Sequence, residues 1–243
     1  MILLKIMLLL HVIGDFYTQS NRMNEHKKKN NRHLILHVLI YTLPYTILFF
    51  LVEKWFVILI LLIALFASHY LIDFLKIKHE KKCRLTYKAF LVDQFLHIIV
   101  LYIAWLFLRN YFSGTDQIIS LLQHLGILID FDQLINVFIV FTIIFRPTSY
   151  FVEMVLPIKT SDNKDDIRTS KDINYGAYIG NLERVAIVLL GLLNLWPSIA
   201  LVITAKSIAR FKQLEDKDFA QKYLIGTLLS LSITLGLLYV FIV

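Results

Sequence analysis

Residues 55–80 read WFVILILLIALFASHYLIDFLKIKHE, and the fold follows from how this stretch is read. No Asp, Glu, Lys or Arg occurs between Trp55 and Ile72, and the apolar run reaches the ~20 residues a helix needs to cross a bilayer. A membrane barrel would instead alternate polarity in ~10-residue segments. Length and composition therefore predict a spanning helix over about 55–77. Its far end breaks the pattern with His69-x-x-x-Asp73-x-x-Lys76, polar groups at helical spacing where lipid favours apolar ones.

The rest of the chain has the same character. Of its 243 residues 58% are hydrophobic and 18% charged, with 18 Phe and 12 Tyr against 8 Gly and 4 Pro, and the mean hydropathy is +0.67. Soluble domains lie near 45–50% apolar and about 25% charged. A soluble domain, a disordered chain, a collagen-like fibre and a disulfide scaffold are all excluded. The one cysteine, Cys83, has no internal partner and lies in a Lys/Arg-rich loop, which gives no sign of an oxidising compartment. Met1 to Leu10 has the apolar character of a signal peptide, but His11, Asp15 and Gln19 stand where a small-residue cleavage site belongs. It reads as a retained helix.

Apolar runs place spans at about 2–20, 33–52, 55–77, 89–108, 134–156, 176–195, 198–211 and 223–243. The segment 198–211 is short for spanning. The expected class is all-α, a polytopic helical membrane protein with seven to eight transmembrane segments. A four-helix membrane bundle is expected over 1–108, an extracytoplasmic loop over 109–133 with a weakly amphipathic stretch at Ile118–Ile129, and a second membrane half over 134–243, with a hydrophilic loop at Lys159–Asn174. Lys and Arg set the orientation. Arg22, Lys27, Lys28, Lys29 and Arg32 follow the first span, and Lys78, Lys81, Lys82, Arg84 and Lys88 follow the third, whereas the opposite loops offer little beyond Lys54 and Arg109. The N-terminus is thus expected outside a cytoplasmic (inner) membrane. The net charge of +7 belongs to this topology, and no nucleic-acid partner is expected.

Working outward from His69 and Asp73, the same spacing recurs. The first span carries His11-x-x-x-Asp15-x-x-x-Gln19, the second opens with His33-x-x-x-His37, and the fourth begins with Asp93-x-x-x-His97. Four residues of helix return a side chain to nearly the same face. Given the orientation, His11, Asp15, His37, His69, Asp73, Asp93 and His97 all fall roughly 6–14 Å from the cytoplasmic boundary at 1.5 Å per residue. Unrelated polar substitutions would not share one level. A lone Asp at a helix centre costs about 2.5–3.5 kcal/mol on the insertion scale, so three of them call for compensation. A divalent metal shared by carboxylates and imidazoles supplies it, zinc foremost, with manganese and iron also suited to such ligands. The bland counterpart is that each His–Asp pair satisfies itself by one hydrogen bond and holds the bundle together.

The second half has charges of its own. Glu183 and Arg184 lie in the sixth segment, Lys206 and Arg210 in the seventh, and a basic wall of Arg184, Lys206 and Arg210 would suit an anionic substrate. Snorkelling is the simpler account of Arg210. In the fifth span Pro147 removes a backbone donor, freeing carbonyls for a guanidinium such as that of Arg146, and the site reads as a structural hinge.

Taken together, His11-Val-Ile-Gly14-Asp15-Phe16 with Gln19, His69-x3-Asp73 with Lys76, Asp93-x3-His97, Gly176-x2-Ile-Gly-x-Leu-Glu183-Arg184 and Ala205-Lys206-Ser207-Ile-x-Arg210-Phe211 resemble a bacterial membrane-protein family, domain of unknown function 3307. The resemblance covers nearly the whole chain. It implies a polytopic inner-membrane protein and carries no established activity. The His-x-x-x-Asp pairs also look loosely like those of membrane-bound metal-dependent hydrolases and of intramembrane CAAX-type proteases. The Glu-Glu-x-x-x-Arg motif of the proteases is absent.

Three functions compete. The first is a metal-dependent membrane hydrolase in which Asp15, Asp73 or Asp93 serves as ligand or general base and an anionic small molecule or lipid is the substrate. The second is an ion- or proton-coupled transporter or channel. The third is a non-catalytic membrane subunit or sensor. Crowding of the polar groups into one leaflet argues against transport, and the lack of a recognisable nucleophile argues against catalysis.

Overall fold

The computed structural model describes residues 1–19, 23, 26–28, 30–52, 54–80, 86–112, 124, 130–156 and 175–242. Among these there are eight α-helices and no strand: α1 (Ile2–Val12), α2 (Asn31–Thr42), α3 (Trp55–Glu80), α4 (Thr86–Leu108), α5 (Phe131–Val155), α6 (Tyr175–Leu192), α7 (Trp196–Ala209) and α8 (Lys217–Phe241). The all-α expectation holds. Five stretches are long and apolar enough to cross a membrane: Asn31–Phe50, Trp55–Glu80, Tyr87–Tyr111, Phe131–Val155 and Lys217–Phe241. The expected seven to eight spans are therefore not supported. α1 has 11 residues and α7 has 14, too few for a ~30 Å hydrocarbon layer at 1.5 Å each. α6 is diluted by Asn181, Glu183 and Arg184. The expected amphipathic stretch at Ile118–Ile129 (His124 apart), the loop at Lys159–Asn174 and Cys83 lie outside the described residues.

The chain forms two compact units, Met1–Thr142 and Ile143–Val243, with the boundary inside α5. In the first unit α3 packs against both α2 and α4, and α1 against α4. Their shared core holds Leu3, Met7, Tyr45, Leu61, Leu65 and Leu101. α1 does not end in a cap. It widens into a single π turn, Ile13–Tyr17, in which the Thr18 amide reaches five residues back to Ile13 O at 3.1 Å. α2 begins at Asn30, whose side chain accepts from the Arg32 amide at 2.9 Å. It tightens into a 3-10 helix, Leu43–Phe50, where Pro44 has no N–H to continue the α ladder.

In the second unit α6 packs against α7 and α8. α6 stops where Asn194 takes a left-handed conformation (φ 58°), and Pro197 stands in the first turn of α7, where its missing N–H costs nothing. Asp216 caps α8 by accepting from the Asp218 amide at 2.9 Å. α5 contains Pro147, so Ile143 O loses its main-chain donor. Thr148 Oγ1 donates to that oxygen at 2.8 Å.

Candidate metal centre

Asp15, His37, His69, Asp73, Asp93 and His97 come from the π turn, α2, α3 and α4 and meet inside the first unit. Asp73 and Asp93 are each only 2% exposed, and the three histidines are buried as completely. The π turn explains how Asp15 joins them. It inserts a wide turn just after His11, which re-aims Asp15 towards α2 and α3; such turns are frequent at functional sites. Gly14 lets the turn approach α2, since a Cβ there would lie 2.8 Å from Tyr41 O and 2.9 Å from Tyr41 Cδ2.

At the centre, Nε2 of His37 and Nε2 of His69 face each other at 3.2 Å. Asp15 Oδ1 lies 3.6 Å from His37 Nε2 and 3.9 Å from His69 Nε2. Asp73 Oδ2 lies 3.5 Å and 4.0 Å from the same two nitrogens. Ligands held ~2.0–2.2 Å from one tetrahedral ion would stand ~3.3–3.6 Å apart, close to the 3.2, 3.6 and 3.9 Å among His37, His69 and Asp15. Asp15, His37 and His69 form one group able to hold a metal ion, and His69, Asp73 and His97 form a second. The Nδ1 atoms of His37 and His69 are buried with no hydrogen-bond partner among the described residues, so both rings are held by packing and by their Nε2 side. The Tyr41 ring stacks on His69 with centroids 3.8 Å apart, and His97 stacks on His69 at 4.3 Å.

His11 stands apart from both groups. Its Nδ1 meets Tyr41 Oη at 3.1 Å and its Nε2 meets Gln94 Oε1 at 3.3 Å. Gln94 Nε2 donates to Asp15 Oδ2 (2.9 Å) and Asp93 Oδ2 (3.2 Å). Both of its protons go to carboxylates, so Oε1 must accept, and a neutral His11 carries its proton on Nε2. Tyr41 Oη and Tyr45 Oη then extend the chain at 3.0 Å.

Two ammonium groups complete the site. Lys76 Nζ donates to Asp93 Oδ2 at 2.8 Å. Lys27 Nζ donates to Asp73 Oδ2 at 2.9 Å and to Gln19 Oε1 at 3.3 Å. Lys27 is itself buried. Against three carboxylates the two ammonium groups leave one negative charge, which a cation or proton must meet.

The sequence pattern did not single out Lys27, Gln94, Tyr41 or Tyr45. Tyr41 and Tyr45 had a signal, since they continue the four-residue spacing from His37 along one face. Lys27 had none, being one of five basic residues in its loop.

Arg184, Lys206 and Arg210 each have partners within the second unit. Arg184 Nε donates to Ile144 O (2.6 Å), Nη1 to Ser230 Oγ (3.0 Å), and Nη2 to Ser149 Oγ and Asn181 Oδ1 (both 2.5 Å). Arg184 thus brings a guanidinium to a carbonyl one turn before Pro147. Lys206 Nζ pairs with Glu183 Oε2 at 2.6 Å, and Arg210 lies 6.0 Å from the Phe219 ring centroid.

Fold and site together define an all-helical protein whose first unit encloses a buried His/Asp/Lys cluster. Residues 3–126 match the family described as protein of unknown function DUF3307, about half of the chain, and the chain belongs to that family. The match takes in every residue of the cluster and stops short of Glu183, Arg184, Lys206 and Arg210. No curated protein and no solved structure matches the chain.

Proposed function

We propose that the chain is an integral protein of the cytoplasmic membrane, with the 27–32 loop on the cytoplasmic side. Its first unit holds a divalent cation, zinc foremost and otherwise manganese or iron, and uses it to hydrolyse an anionic or membrane-associated substrate. Support for the membrane comes from the five long apolar stretches, of which only 11% to 33% is buried inside the protein. Ile63, Phe95 and Val240 are among the large apolar side chains left exposed, and in water so much apolar surface would drive aggregation. With α1 too short to span, residues 1–19 would lie on the same side as the 27–32 loop, contrary to the expectation of an outside N-terminus. The Lys/Arg asymmetry still favours a cytoplasmic 27–32 loop.

The observation that carries the metal reading is the pair of Nε2 atoms 3.2 Å apart, flanked by carboxylate oxygens at 3.5–4.0 Å. Neutral imidazoles and carboxylates suit such cations, and a bound cation lowers the pKa of its water to produce a nucleophile. Asp15 and Asp73 would serve as ligands beside His37 and His69, and the cation would supply an activated water.

Metal analysis of the purified full-length protein, with Asp73→Asn beside it, tests this. Metal content and thermal stability should fall together in the variant, and chelator should destabilise the wild type but barely affect the variant, because binding energy adds to folding energy. Wild-type protein that is metal-free and indifferent to chelator and to added zinc or manganese would refute it.

A further inference from the structure

We propose that the cluster is a two-cation centre, in which Asp93 and His97 hold a second divalent ion joined to the first through Asp73, and that a phosphate-bearing group bridges the pair. This rests on the metal reading above.

Two buried atoms point to the second ion. Asp93 Oδ1 and His97 Nε2 lie 3.6 Å apart, and neither has a hydrogen-bond partner among the described residues. Leaving two such groups unpaired in the interior is unfavourable, and an ion between them would satisfy both. His97 also belongs to the second potential metal group, with His69 and Asp73. His69 belongs to the first group too, and Asp73 Oδ2 lies 3.5 Å from His37 Nε2 of that group. A neutral imidazole directs one lone pair, and Nε2 of His69 is turned to His37. Asp73 has two carboxylate oxygens and can serve two ions at once. Sharing therefore falls to Asp73. The first ion then has Asp15, His37, His69 and Asp73. The second has Asp73, Asp93 and His97, three protein ligands with room for an outside one, as in catalytic sites.

Charge identifies the outside ligand. Three carboxylates face two ammonium groups, Lys27 and Lys76, so two divalent ions would leave a surplus of three positive charges in a buried site. A phosphate dianion offsets most of it, and paired ions ~3.5–4 Å apart bind two of its oxygens.

The test is the metal-to-protein ratio of full-length protein in detergent, loaded with manganese and desalted, followed by thermal melting with inorganic phosphate. We expect two ions per chain in the wild type and one in His97→Ala. Phosphate should raise the melting temperature of the loaded wild type and leave that of His97→Ala unchanged. The spin-coupled signal of paired manganese in the wild type supplies a check needing no variant. One ion in the wild type with an uncoupled signal overturns the two-cation centre while leaving the metal reading intact, and no ion overturns both. Two ions with no response to phosphate overturn the bridging ligand.

Discussion

Replacing Gly14 with alanine tests how the centre is built without presupposing what it binds. The new Cβ would stand 2.8 Å from Tyr41 O, 2.9 Å from Tyr41 Cδ2 and 3.4 Å from Tyr41 Cα. Two of these atoms are backbone within α2 and cannot swing aside. Restoring ordinary contact requires the π turn and α2 to separate by about 0.6 Å, an overpacking that typically costs about 1–3 kcal/mol. The displacement reaches the site directly, because the Tyr41 ring stacks on His69 at 3.8 Å and its hydroxyl meets His11. Thermal melting in detergent should show a clear loss of stability, and titration with zinc should show roughly tenfold weaker binding if about 1.4 kcal/mol of that cost falls on the site. Gly236→Ala is the control. Nothing lies within 4 Å of the Cβ it would add in α8, so it should be neutral or stabilising by up to about 1 kcal/mol. If Gly14→Ala melts like the wild type and like Gly236→Ala, the close approach of the π turn to α2 does not hold the site together.

Gln94→Leu should destabilise by about 1–3 kcal/mol, read by thermal melting, because it strips a partner from His11, Asp15 and Asp93 in the interior. Arg184→Lys should cost about 2–4 kcal/mol although charge is kept, since an ammonium cannot reproduce the fork that serves Ile144 O, Ser149, Asn181 and Ser230 together; metal content should not change. A cysteine at Lys28, in a Cys83→Ser background, should be labelled by a membrane-impermeant reagent only from the cytoplasmic side. Labelling from outside would reverse the orientation.

The His-x-x-x-Asp spacing made much of the cluster legible, because α3 and α4 are regular helices and four residues keep a side chain on its face. His11, by the same rule, reaches the cluster through Gln94 and His97 rather than as a member of either metal group. The π turn Ile13–Tyr17, which carries Asp15, breaks the 3.6-residue period after His11, and the sequence marks it only by Gly14. Lys27 was read as one of a run of loop charges that orient a membrane protein. Its burial depends on Asp73, 46 residues away, and no local pattern carries such a contact. The excess of predicted spans has a similar origin. Apolar composition is as high in short helices as in long ones, and the ends of α1 and α7 are set by the π turn and by the bend at Arg210.

A proline within a helix is where a protein is usually expected to flex, and Pro147 reads that way from sequence. A flexing joint needs a gap in its hydrogen bonding that water or neighbouring groups can fill equally well at several angles. Here Thr148 closes one carbonyl and Arg184 clasps the next, while the same guanidinium grips Ser149 just past Pro147. Changing the angle would strip a buried cation of several partners at once, at about 1.5–3 kcal/mol for each charged hydrogen bond. The stretch around Pro147 is accordingly braced rather than loose, and motion in the second unit is to be sought at the joints between its helices.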